Sequence, residues 1–103
     1  MSDFKHTTHL SEILEESSKK RVVVFKFSSS CNSSSSLRER FETMMAKYPL
    51  IIYLVTARSE PVLSRKIAEH FQIKHESPQI VVIEKGKVVY SADHDNIDIK
   101  AVL

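Results

Sequence analysis

Two nearly uninterrupted apolar runs constrain this chain more than anything else in it. They are "RVVVFKF", Arg21 to Phe27, and "LIIYLV", Leu50 to Val55. A strand with one wet face alternates apolar and polar residues, because successive side chains point to opposite faces. Neither run alternates. Both therefore read as strands covered on both sides, as in the middle of a layered α/β sheet.

What lies between them supplies a helix. Leu37, Phe41, Met44, Met45 and Tyr48 fall at i, i+4, i+7, i+8 and i+11, a three-turn apolar stripe, with Arg38, Glu39, Arg40, Glu42 and Lys47 on the other faces. Two buried strands joined by such a helix imply a parallel pair with a right-handed crossover. Before the first strand, Leu10, Ile13 and Leu14 mark a short helix from about Ser11 to Lys20, with Ser11 as its cap. After the second, Thr56 to Glu60 reads as a loop and Pro61 as a first helical residue. Leu63, Ile67 and Phe71 give that third helix its face. "IVVI" is a further strand, and Glu84-Lys85-Gly86-Lys87 is a hairpin turn into "VVY". Asp95 or Asn96 is expected to cap a last short helix through Ile97, Ala101 and Val102. The order is α-β-α-β-α-β-β-α in one domain spanning residues 1–103, with no repeat.

The bulk properties exclude several classes. A chain of 103 residues carries one modest core. Apolar content of 42% and charged content of 27% suit a globular domain. The net charge is +2, and Lys19-Lys20-Arg21 is too small a basic cluster for a nucleic-acid footprint. The apolar run Leu50–Val55 is far shorter than the roughly 20 residues of a membrane helix. The first ten residues hold no apolar segment of a secretory signal, and one cysteine cannot form an internal disulfide. A cytoplasmic protein is expected, binding neither nucleic acid nor membrane.

That cysteine, Cys31, sits in "SSSCNSSSSL", where seven of the nine residues from 28 to 36 are serine. The stripe beginning at Leu37 requires the helix to start near Asn32 to Ser34. Serine and asparagine favour such starts because their side chains satisfy first-turn amides. The serines thus read as a helix entry rather than a linker, and Cys31 as a thiol just before it. Free amide hydrogens and the positive end of the helix dipole favour a thiolate there. Hydroxyls of Ser33 and Ser34 are further candidate donors to the sulfur. A thiol pKa of about 6 to 7.5 is expected, within the range of such sites.

"VVVFKFSSSC" resembles the strand that delivers a redox cysteine in the thioredoxin superfamily. "KHESPQIVVIEKGKVVYSADHDNI" and "HLSEILEESSKKRVVVFKFSSSC" resemble the monothiol bacilliredoxins, small general-stress proteins of that superfamily found in bacteria. The resemblance implies a thioredoxin-like α/β fold, a mixed four-stranded sheet with helices on both faces. It also implies removal of bacillithiol, or a related low-molecular-weight thiol, from mixed disulfides on client proteins. Cys31 would attack and Pro78, as a cis-proline, would face it. Asn32, Ser33, Ser34, Ser77 and Pro78 would form the substrate side. No bound cofactor is implied; the small thiol is a co-substrate, and resolution needs a second small thiol or a reductase. Asn32 and Phe27 replace a proline and a histidine found in many members. The competing reading is a non-catalytic redox-sensing or adaptor module. An iron–sulfur monothiol glutaredoxin fits less well, because "CNSS" lacks that family's Cys-Gly-Phe-Ser motif.

Other polar residues read as ordinary. Lys26 is expected to be a surface lysine at a strand end, Arg58 a solvated arginine, and His75 and His94 surface or hydrogen-bonded histidines. His6 and His9, three apart, lack the further ligands of a metal site.

Overall fold

The computed structural model describes residues 4–27, 32–56 and 60–102, with nothing said of the side chains of residues 32–34. Its elements are α1 (Leu10–Ser17), β1 (Val22–Phe27), α2 (Asn32–Lys47), β2 (Ile51–Thr56), α3 (Pro61–Phe71), β3 (Gln79–Glu84) and β4 (Lys87–Asp93). Two 3₁₀ turns follow, His94–Asn96 and Ile99–Val102. The strands form one sheet in the order β2-β1-β3-β4. β1 and β2 are parallel; β1 with β3 and β3 with β4 are antiparallel.

Burial on both faces explains the unbroken apolar runs. Every residue of β1 is buried. Val23, Phe25 and Phe27 face α2, whose Leu37, Phe41 and Met45 complete one cluster with Ile52, Leu54, Ile80 and Val82. Val22 and Val24 face the other way, against Ile13 of α1 and Leu63 and Ile67 of α3. The two clusters are one strand's alternate residues sorted to opposite layers, as a two-residue period requires.

Local rules account for the ends. Pro61 opens α3, where its missing amide costs nothing. Lys85 and Gly86, with φ of 52° and 74°, form the β3–β4 turn, the positive pair that matches the strands' twist. Ser17 pins α1 to that turn: its Oγ donates to the Leu14 carbonyl at 2.7 Å and accepts from the Gly86 amide at 3.1 Å.

Two expected helices are corrected. α1 runs from Leu10 to Ser17 rather than from Ser11 to Lys20, and its N-cap is His9, without a side-chain cap bond. The expected last helix is instead 3₁₀: its Ala101 amide bonds to the Asp98 carbonyl three residues back. Buried Ile99 and Val102 are also three apart, which suits a three-residue turn. The start of the chain contributes as well. Phe4 is buried in the α2-side cluster, and Lys5 bridges β2 through bonds of 2.8 and 2.9 Å to Ile52 and Leu54. Nothing in "MSDFKHTTHL" signals that pairing.

Candidate functional site

The register of the sheet decides what meets at its edge. β1 and β3 are antiparallel with Lys26 opposite Gln79, so the end of β1 lies beside the beginning of β3. β1 ends at Phe27 and α2 begins at Asn32, the residue after Cys31 in sequence. Ser77 and Pro78 enter β3 at that same edge. Cys31 and Arg58 themselves lie outside the described residues, as do the side chains of Asn32, Ser33 and Ser34. The helix start at Asn32 agrees with the reading of the serine run.

The Ser77–Pro78 peptide bond is cis, as the resemblance implies. Pro78 is buried, and its carbonyl accepts from the His94 amide at 3.1 Å, tying the exit of β4 to the entry of β3. Among the described residues, Ser77 Oγ is buried without a hydrogen-bond partner. Gln79 is 3% exposed; its Nε2 donates to the Lys74 carbonyl at 2.8 Å, while its Oε1 has no partner among the described residues.

Lys26 overturns its reading as a surface lysine. It is 0% exposed, on the α3 side of β1, in line with Val22 and Val24. Its Nζ donates to the Ser64 carbonyl at 3.0 Å and lies 3.3 Å from His75 Nδ1. Ser64 Oγ is 3.2 Å from the same ring nitrogen. No carboxylate pairs with the ammonium among the described residues. Burial alone lowers the Lys26 pKa to about 8, because the charged form loses hydration that two acceptors only partly replace. The pKa of His75, whose side chain reaches the surface, is also lowered. Desolvation is the largest cause, then the Lys26 ammonium, with Arg65 adding and Glu76 opposing. A lysine set inside an apolar run was the available signal; its partners, 38 and 49 residues away in sequence, were not.

His94 is surface-exposed, as expected, with Nδ1 at 3.1 Å from Asp93 Oδ1. It joins Ser36, Leu37, Arg40, Asp95 and Ile97 around an open cleft of about 270 Å³ between the start of α2 and the turn after β4. Among the described residues no group of three or more His, Cys, Asp or Glu side chains is placed to hold a metal ion. No described helix is long and apolar enough to cross a membrane.

Chemically, the edge offers a fresh helix N-terminus, backbone of Ser77 leading into a strand, a buried ammonium beneath, and a polar cleft beside. Solved structures share the overall fold. A protein with a thioredoxin fold superposes with a TM-score of 0.82 at 24% identity, covering 94% of this chain and 88% of its own. Mitochondrial thioredoxin 3 from Saccharomyces cerevisiae gives 0.68 at 14% identity, over 87% and 82%. Oxidised thioredoxin from Plasmodium falciparum gives 0.68 at 20%, over 87% and 84%. At these identities the likeness establishes the thioredoxin fold. The family comparison goes further: the model of the monothiol bacilliredoxin BrxC matches residues 2–102, across both the cysteine segment and the Ser77–Pro78 edge. The chain belongs to the monothiol bacilliredoxin family.

Proposed function

We propose that this protein is a thiol–disulfide oxidoreductase that strips bacillithiol, or a related low-molecular-weight thiol, from client proteins through Cys31. The observation that carries the reading is the family match running through the chain's one cysteine. The start of α2 at the next residue supports it, since a helix N-terminus favours an adjacent anion.

In the first step the Cys31 thiolate attacks the small-thiol sulfur of the mixed disulfide. A new disulfide forms on Cys31, and the client sulfur leaves as a thiolate and takes a proton from solvent. In the second, a free small-thiol thiolate attacks the sulfur held on Cys31. The symmetric small-thiol disulfide leaves and Cys31 regains its thiolate. A reductase dithiol does the same work by another route. With one cysteine in the chain, resolution is necessarily external. Asn32, Ser33, Ser34, Ser77 and Pro78 form the surface against which the disulfide docks, and the cleft beside His94 suits the polar body of a small thiol.

Intact-mass spectrometry tests this. After mixing with a bacillithiol-modified client, the protein should gain one bacillithiol on Cys31, then lose it on adding bacillithiol. Cys31→Ala should gain none. Loading without release favours the sensing or adaptor reading, to which Asn32 in the usual proline position lends weight; no loading rejects the function.

A further inference from the structure

The buried cation is the feature that neither the fold nor the exchange chemistry explains. A buried ammonium without a carboxylate partner is costly even with two neutral acceptors, and an apolar residue would fill the same place in β1. What it holds is specific. Lys26 Nζ reaches α3 through the Ser64 carbonyl and the connector after α3 through His75 Nδ1. From the same face of the sheet, its cross-strand neighbour Gln79 holds the Lys74 carbonyl. Residues 74 and 75 are thus tied from beneath, and Pro78 is tied from the β4 side by the His94 amide. Glu76, paired with Lys74 at 3.2 Å, and Ser77 lie between these anchors.

We propose that Lys26 and His75 are positioning residues of the exchange reaction: the Lys26–His75–Ser64 hydrogen-bond cluster fixes the Ser77 backbone for docking of an extended client segment, and the neutral imidazole is the competent form. This deepens the function proposed above and rests on its reading that Ser77 faces the disulfide.

The requirement for neutral imidazole follows from donor arithmetic. An ammonium only donates, so Nδ1 must present its lone pair and the ring must carry its proton on Nε2. Protonated His75 has no lone pair to offer and sets a second cation against Lys26. The charged groups facing the ring are Lys26 from β1, Arg65 from α3 and Glu76 beside it, and only the last favours protonation. The neutral form therefore holds at pH 7.5 and is lost in acid.

The test compares wild type with two variants. Lys26→Met keeps an apolar stem in the buried site but cannot donate; His75→Asn offers an oxygen acceptor that does not titrate. Three readouts are taken: ¹⁵N order parameters at Glu76 and Ser77, transfer from a bacillithiol-modified peptide, and alkylation by iodoacetamide, a small reagent that needs no backbone docking. Order parameters of about 0.8 in wild type should fall below about 0.6 in Lys26→Met, with Val24 and Phe25 unchanged. The KM for the peptide should rise about tenfold, the size expected for losing one hydrogen bond to a charged group, with kcat and alkylation within about twofold. Wild-type transfer divided by alkylation should fall in acid, at a pH below the ordinary imidazole range, while His75→Asn stays level. Unchanged order at Glu76 and Ser77 in Lys26→Met overturns the proposal. So does an equal loss of transfer and alkylation, which would put Lys26 to work on the thiol itself. A wild type that accepts no bacillithiol rejects the proposed function instead, and the order parameters then decide the positioning claim alone.

Discussion

Phe41→Ala is expected to lower the unfolding free energy by about 3–5 kcal/mol. Phe41 is fully buried, and its ring centroid lies 5.1 Å from that of Phe25 in β1. Truncation removes that aromatic contact and leaves a hole between helix and sheet. Among its residues with described side chains, α2 buries only Leu37, Phe41 and Met45, so one of three anchors goes. Set against the 5–15 kcal/mol of an ordinary domain, the variant should sit near the edge of folding. Phe41→Leu, which keeps most of the volume, should lose only about 1–1.5 kcal/mol. Urea unfolding of the three proteins measures both. A Phe41→Ala loss below about 1 kcal/mol would mean that α2 is held by something other than this ring.

Lys26→Met should differ from wild type in stability by an amount that depends on pH. The Lys26 pKa is about 8 in the folded protein against the ordinary lysine value of 10.5. Between those values the unfolded chain holds the proton and the folded one has released it. Stability rises with pH wherever the unfolded state binds more protons, so wild type gains stability as pH rises through this window. The gain between pH 7 and 10 is about 2–3 kcal/mol. Below about pH 7 both states are protonated, and the cost of burying the charge is fully present and flat. Tyr53, raised to about 12 by burial and by its bond to Glu12, titrates alike in both proteins and cancels in the difference. The stability of Lys26→Met relative to wild type should therefore fall by that amount from pH 7 to 10. Chemical unfolding at four or five pH values reads it. A difference independent of pH would mean that the Lys26 ammonium is hydrated in solution.

The same residue marks the boundary of what the sequence discloses. β1, β2 and α2 were legible because each rests on a long periodic signal, two unbroken runs and one three-turn stripe. The hairpin was legible from Gly86, the chain's one glycine, since glycine tolerates positive φ at no steric cost. Lys26 was misread because composition alone says that lysines lie outside; its burial depends on Ser64 and His75 arriving from α3 and the connector behind it. The pairing of Lys5 with β2 is likewise long-range and leaves no local pattern. The last helix misled because Ile97, Ala101 and Val102 satisfy a helical spacing on paper. The chain instead buries Ile99 and Val102, after His94 takes up a φ of 49°. At the candidate site, the Ser77–Pro78 edge and the α2 start fell where the motifs implied. The buried polar cluster beneath them has no motif.

Turnover is the measurement that bears most directly on the whole account. Substoichiometric protein is mixed with an excess of a bacillithiol-modified client and free bacillithiol, and released client thiol is counted. The account predicts many client thiols freed per Cys31 and none with Cys31→Ala. Release that stops at one thiol per protein molecule, or that proceeds equally with Cys31→Ala, would contradict it.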